Sequence, residues 1–199
     1  MRKRLSGALA FVLAAFAAPA HAHLASTGFG DFYDGIAHVL ITPEDLLVVI
    51  AAALLAGQRG TTAARLAALA LPVSWLIGGL VGSRWPLMSD QALLTTLTFA
   101  IAGLMVALDR RLHVTVVIAV AVIAGLLHGL ANGPTMTPAG IGLQGLIGAI
   151  SAVCVLTLLL SSQIAMLTRD WHRIAVRVAG SWIAASGLLM FGWLYQSAV

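Results

Sequence analysis

The chain has 199 residues, of which 60% are hydrophobic and only 9% are charged, and its mean hydropathy is +1.00. Soluble domains carry about a quarter charged residues, so this composition excludes a soluble protein and predicts one embedded in the lipid bilayer. The net charge of +4 does not indicate nucleic-acid binding, because Arg2, Lys3 and Arg4 at the extreme N-terminus account for most of it. The single cysteine, Cys154, permits no intramolecular disulfide.

The N-terminus has the pattern of a secretory signal peptide. Three basic residues precede an apolar stretch from Ala8 to Ala18, and Ala20-His21-Ala22 matches an A-x-A cleavage site. The alternative is an uncleaved first helix, but the apolar stretch is too short to span a bilayer comfortably. We therefore predict a signal peptide at 1–22 and a mature chain at 23–199 with an exported N-terminus.

Six apolar stretches follow, and they predict an all-α, polytopic membrane helix bundle with six transmembrane helices. The predicted spans are about 32–57, 63–82, 92–108, 112–131, 139–167 and 174–195. Pro43 either kinks the first span or separates a short entrance helix from it. Trp75 and Trp85 suit positions at the membrane interface. The glycines of the fifth span predict a surface for close helix packing (Gly140, Gly142, Gly145 and Gly148).

The arginines predict the orientation, because Lys and Arg collect in cytoplasmic loops. With an exported N-terminus, six spans leave only Arg84 outside. The cytoplasmic side receives Arg59, Arg65, Arg110, Arg111, Arg169, Arg173 and Arg177. We therefore predict a protein of the bacterial inner membrane with both mature termini in the periplasm.

Most of the acidic residues lie in one stretch, from Gly28 to Gly57, at the exported end of the first span. If the backbone from Asp34 to Asp45 is helical, Asp34, His38 and Asp45 share one face. Two carboxylates and an imidazole together suit a divalent cation. Ionisable groups at a membrane entrance also indicate a functional site, because such groups are costly there.

A local interpretation of the same stretch remains open. Thr42 suits an N-cap, Pro43 suits the first helical position, and Glu44 and Asp45 would then lie in the first turn, against the positive end of the helix dipole. In that case the two acids cap a helix and bind nothing. Capping does not account for His38.

A second polar stretch reaches a similar depth at the end of the fourth span. His128 and Asn132 are four residues apart and share a helical face. The alternative for His128 is an imidazole that only hydrogen-bonds a neighbouring helix. We predict a metal site open to the periplasm, which requires the imidazoles of His38 and His128 to meet inside the bundle. Its predicted ligands are His38, His128, Asp34, Glu44, Asp45 and Asn132.

Two motifs, G-I-A-H-V-L-I-T-P-E-D-L-L at 35–47 and H-G-L-A-N-G at 128–133, together with the signal peptide and six spans, resemble the HupE/UreJ family. That resemblance implies a nickel or cobalt permease that is accessory to hydrogenase or urease. In the family, a His-Pro pair precedes Asp-His, and the later motif is H-G-x-A-H-G with a nearby Glu. Here Val39 replaces the proline, Glu44-Asp45 replaces Asp-His, Asn132 replaces the second histidine, and no acid follows. The loss of two imidazoles predicts a site that is less selective for nickel or cobalt.

We therefore predict a permease, not an enzyme, that takes a divalent transition-metal cation, nickel or cobalt, from the periplasmic side. The alternative is a non-transporting accessory or scaffold protein of metalloenzyme maturation. Catalysis is disfavoured because no Ser/His or paired-acid arrangement recurs across the spans. No cofactor is predicted beyond the transported ion. The predicted partners are that ion and the lipid bilayer, with a second copy of the chain or metalloenzyme-maturation proteins as candidates.

Overall fold

The computed structural model describes residues 27–85, 91–136 and 142–197, so the predicted signal peptide and residue 23 lie outside the described residues. Within these ranges the regular structure is entirely helical. The helices are α1 (Asp31–Ile41), α2 (Pro43–Gln58), α3 (Thr61–Arg84), α4 (Ala92–Leu108), α5 (Val114–Met136), α6 (Gly142–Ala165) and α7 (Asp170–Ser197). The predicted all-α class is therefore confirmed for these ranges.

Four of these helices, α3, α5, α6 and α7, are long and apolar enough to cross a membrane. The pair α1 and α2 counts as a fifth span if the two are taken together, although they are bent by 75°. Helix α4 has 17 residues, which is about 26 Å at 1.5 Å per residue and slightly short of a hydrocarbon core of about 30 Å. The chain is thus a multi-pass membrane protein, and its described residues contain four or five spans by these measures, so the predicted six spans are not confirmed.

The first predicted span is broken at Thr42, which is extended (φ −83°, ψ 107°). A residue that precedes proline is driven out of the α region, and Pro43 begins α2 where its missing N–H costs nothing. Of the two alternatives predicted for Pro43, the structure therefore shows the second, in which a short entrance helix, α1, is followed by a separate helix, α2. The backbone is therefore not helical throughout 34–45, and the condition for a shared face of Asp34 and Asp45 is not met.

Helix α2 is the centre of the bundle and contacts each of the other six helices. Nearly every residue from Val48 to Gly57 is buried. A helix that is apolar all round is stable only when it is surrounded, so the composition of this segment accounts for its central position. Asp45 lies at its first turn and Gln58 at its last residue.

Glycines allow the helices around α2 to approach backbone to backbone. Gly125, Gly129 and Gly133 recur every four residues on α5 and face α3; a Cβ built on Gly129 would lie 2.2 Å from the carbonyl oxygen of Trp75. On α6, a Cβ on Gly148 would lie 1.9 Å from the carbonyl oxygen of Phe32 in α1. The glycines of the fifth predicted span were expected to allow close helix packing. This is confirmed at Gly148 and at Gly145, whose backbone lies against Gly35 of α1.

At one end of the bundle, α2, α4 and α6 end while α3, α5 and α7 begin. There Asp109 accepts hydrogen bonds from Arg59 and, at 2.8 Å, from Nη2 of Arg173. Nη1 of Arg59 also donates to the carbonyl oxygen of Arg110 at 2.6 Å. Arginines from three predicted cytoplasmic segments therefore meet at the same end, which we call the arginine-rich end. Its cytoplasmic orientation stays a prediction.

Changing Asp109 to asparagine is expected to lower the free energy of unfolding by about 2–3 kcal/mol, because the Arg59 guanidinium loses this carboxylate partner in a largely buried position. Asparagine tolerates the left-handed conformation of this residue (φ 46°), so the variant changes charge without adding backbone strain. The measurement is the melting temperature of the purified protein in detergent. Asp170→Asn, at an exposed site, serves as the control, and equal melting temperatures for the two variants would contradict the expectation.

Candidate metal centre

Four polar residues from three helices meet inside the bundle, at the end opposite the arginines. Asp45 of α2 lies between His128 and Asn132 of α5, with Oδ1 at 2.7 Å from Nδ1 of His128 and Oδ2 at 2.8 Å from Nδ2 of Asn132. His38 of α1 completes the group, with Nε2 at 3.0 Å from Oδ1 of Asn132 and 3.6 Å from Oδ2 of Asp45. The two motif stretches, ninety residues apart in the chain, therefore converge as the sequence predicted.

Burial makes these polar groups costly unless each is paired. Asp45 is 3%, His128 0% and Asn132 6% exposed, and a buried polar group without a partner costs about 1–3 kcal/mol. Their mutual hydrogen bonds offset that cost. The break at Thr42 makes the arrangement possible, because it redirects the chain so that the first turn of α2 faces α5 while α1 brings His38 from the side.

With Asp45 ionised, the hydrogen-bond network assigns one proton to a nitrogen of each imidazole. An ionised carboxylate only accepts hydrogen bonds, so Nδ1 of His128 donates to Asp45 and the amide nitrogen of Asn132 donates to the same carboxylate. The amide oxygen of Asn132 then accepts from Nε2 of His38. In neutral imidazoles this leaves lone pairs on Nδ1 of His38 and on Nε2 of His128.

Nε2 of His128 is 2.9 Å from the hydroxyl of Thr98 on α4, and that hydroxyl lies 2.6 Å from the carbonyl oxygen of Thr95. In this tautomer the Thr98 hydroxyl donates to Nε2. A carboxylate on one ring nitrogen and a lone pair on the other is the arrangement of many metal-ligating histidines. The Trp75 ring packs beside His128, with ring centroids 5.4 Å apart. His128 is therefore held on three sides, by α2, α3 and α4.

Asp34 and Glu44 do not join this network. Oδ1 of Asp34 accepts hydrogen bonds from the backbone nitrogen and the hydroxyl of Thr27, at 2.5 and 2.6 Å. Oε2 of Glu44 is 3.4 Å from the hydroxyl of Thr95. Because Asp34 precedes the bend at Thr42, the shared face that was predicted for it and Asp45 does not form.

The helix start is as the local interpretation predicted, with Thr42 at the N-cap, Pro43 at the first position and Glu44 and Asp45 in the first turn, although Thr42 makes no side-chain capping bond. The Asp45 carboxylate does more than face the helix dipole, because it also bonds to His128 of α5. For His128, the observed hydrogen bonds to neighbouring helices are compatible both with a metal ligand and with an imidazole that has only a structural role. No group of three or more His, Cys, Asp and Glu side chains is placed to hold a metal ion within residues 27–85, 91–136 and 142–197. The six residues therefore remain a prediction as metal ligands.

Sequence reasoning missed Thr98 and misplaced Trp75. Threonines at 95, 96 and 98 in an apolar helix were a signal that polar groups face inward there, yet their partner depends on how α4 packs. The predicted interfacial position of Trp75 is wrong, since its side chain is fully buried against His128. Trp85 is 65% exposed, in agreement with an interfacial position.

Comparison with protein families gives one finding: a family model described as HupE / UreJ protein matches residues 9–190. The match includes all the residues of the network and both motif stretches. Comparison with curated proteins and with solved structures finds no match.

Proposed function

Because this chain belongs to the HupE/UreJ family, we propose that it is a membrane permease for a divalent transition-metal cation, nickel or cobalt, taken up from the periplasmic side. The family is linked to nickel or cobalt uptake or to accessory roles for metalloenzymes. The observation that carries the proposal is the meeting of His38 and His128, from the two family motifs, around the buried carboxylate of Asp45.

The donor types suit the proposed ion. Imidazole nitrogens favour nickel and cobalt, and one carboxylate adds the negative charge that a dehydrated cation requires. Asp45 holds His128 so that Nε2 carries the lone pair. To bind there, an ion displaces the hydroxyl of Thr98 from Nε2 of His128. His38 then binds the ion through Nδ1, or through Nε2 after its ring proton has moved to Nδ1. Because a neutral imidazole already has one nitrogen without a proton, binding of the ion to His38 and His128 releases no proton.

The proposed path runs beside α2, from Asp45 at its first turn to the arginine-rich end. Asp34 and Glu44 would capture the hydrated ion at the outer mouth, and Asn132 would contribute an amide oxygen. No nucleotide-binding signature G-x-x-x-x-G-K-[ST] is present in the sequence. A divalent cation that moves inward gains about 4.6 kcal/mol per 100 mV of membrane potential, which is sufficient for modest accumulation.

Metal uptake in cells tests this function. We expect His38→Ala and His128→Ala each to reduce nickel or cobalt accumulation at least about tenfold, because each removes an imidazole from the proposed ligand set. His113→Ala is the matched control, since His113 is exposed and pairs with Thr115 at the arginine-rich end. Wild-type accumulation of nickel, cobalt, zinc and manganese in both variants would contradict the proposal.

The alternative, a non-transporting accessory protein of metalloenzyme maturation, also has a structural basis. Both oxygens of Asp45 and both atoms of the Asn132 amide are already paired with other residues of the chain. A permanent polar network of this kind stabilises a helix arrangement without an ion. The accessory function predicts that deletion of the protein lowers metalloenzyme activity while cellular metal accumulation is unchanged.

A further inference from the structure

A cavity of about 490 Å³ opens at the arginine-rich end, between the ends of α2, α4 and α6 and the beginnings of α5 and α7. Its volume falls within the range of about 300–1,000 Å³ that small-molecule sites occupy. Asp45 and Gln58, at opposite ends of α2, are about 20 Å apart along the helix axis. The cavity is therefore a separate site from the candidate metal centre.

The charged residues that line the cavity are three arginines, Arg59, Arg111 and Arg173, and one acid, Asp109. The single carboxylate of Asp109 pairs with both Arg59 and Arg173. Arg111 has no acidic partner in the described parts of the chain and is exposed. The lining thus carries an excess of two positive charges, with Asp170 as a more distant carboxylate near Arg173.

The exposed donors that remain free belong to Arg111 and Arg173, whereas the unpaired Nε of Arg59 is buried. The Arg173 side chain is 67% exposed and uses only Nη2 for Asp109, so the rest of its guanidinium is available. Arg59 is different, because its two terminal nitrogens already bond to Asp109 and to the carbonyl oxygen of Arg110. Paired guanidinium groups of this kind recognise phosphate oxygens bidentately.

The remaining wall of the cavity is apolar and includes Leu112, Ile164, Leu167 and Val176. An apolar wall below a rim of arginines at the end of a helix bundle is the composition of sites for anionic lipid headgroups. We propose that this cavity binds an anionic phosphate group, with Arg111 and Arg173 as its direct donors and Arg59 as a fixed positive charge. The apolar wall favours a phospholipid as the carrier of that group over free phosphate.

The test is the melting temperature of the purified full-length protein in a neutral detergent, titrated separately with phosphatidylglycerol, phosphatidylcholine and inorganic phosphate. We expect a saturable rise with phosphatidylglycerol and none with phosphatidylcholine. Arg111→Gln and Arg173→Gln should each raise the half-saturating concentration about tenfold, because each removes charge-assisted hydrogen bonds. Arg65→Gln removes an exposed arginine outside the cavity lining and should leave that concentration unchanged.

Asp109→Asn provides a change in the opposite direction, since it frees Arg59 and Arg173 and should lower the half-saturating concentration. Each variant is compared with its own lipid-free melting temperature, so a less stable variant remains informative. An equal, arginine-dependent rise with inorganic phosphate supports the phosphate site with a soluble anion as its source. Equal effects of the two lipids, or an equal loss in Arg65→Gln and Arg111→Gln, would overturn the proposal.

Discussion

Asp45→Asn is expected to reduce metal accumulation at least about a hundredfold. The carboxylate is the only negative charge within the network and lies between both imidazoles. At 4 Å and an effective dielectric constant of about 20, each unit of charge on the ion interacts with a carboxylate by about 4 kcal/mol, and 1.4 kcal/mol corresponds to a tenfold change in affinity. The loss of this interaction therefore exceeds the effect of either histidine alone.

The substitution preserves shape, so the result separates charge from packing. Asparagine still accepts one hydrogen bond from His128 and can pair with Asn132 after a rotation of that amide, so we expect a fall in stability of only about 1–2 kcal/mol. Asp170→Asn, at an exposed carboxylate of α7, controls for a general change in net charge. Normal accumulation in a well-folded Asp45→Asn protein would show that the buried carboxylate is structural.

Gly129→Ala is expected to give the largest loss of stability. Its Cβ would lie 2.2 Å from the carbonyl oxygen of Trp75 and 2.8 Å from the nitrogen of Gly79. Both obstacles are backbone atoms, which cannot turn aside as a side chain can, so α3 and α5 must separate. Overpacking costs about 1–3 kcal/mol or more, and here it also moves His128, the preceding residue. We expect little folded protein in the membrane.

Gly192→Ala is the matched control, because a Cβ at that position of α7 meets no atom within 4 Å. Alanine is favoured over glycine in a helix by about 1 kcal/mol, so this variant should be at least as stable as the wild type. Expression level and melting temperature in detergent provide the comparison. Similar values for the two alanine variants would mean that α3 and α5 are not packed as closely as described.

Much of this arrangement could be predicted from the sequence because it depends on local chemistry. Apolar length predicted the helices, and Thr42-Pro43 predicted where α2 begins. The size of the bend could not be predicted, since a proline at the first helical position is compatible with many angles between α1 and α2. The wrong placement of Asp34 beside Asp45 follows from that one unknown. Trp75 was misplaced because an aromatic residue in an apolar helix suits both an interface and a core.

The meeting of His38 and His128 could be predicted from their similar depth in the membrane. Their hydrogen-bond partners could not be predicted in this way. Which atom of Asp45 meets which nitrogen depends on how α1, α2 and α5 are rotated about their axes. Asn132 illustrates the difference. The resemblance to the family implied that asparagine stands there in place of a histidine, and the structure shows that the amide donates to Asp45 and accepts from His38. A neutral imidazole offers the same one donor and one acceptor, so the network survives the substitution while a nitrogen ligand is lost.

X-ray absorption spectroscopy of the purified protein loaded with nickel tests the central claim most directly, with His128→Gln measured beside the wild type. The permease proposal predicts a shell of nitrogen and oxygen ligands that includes imidazole, with a weaker imidazole contribution and less bound nickel in the variant. Nickel bound in equal amount with an unchanged ligand shell in His128→Gln, or no nickel bound by the wild type, would contradict it.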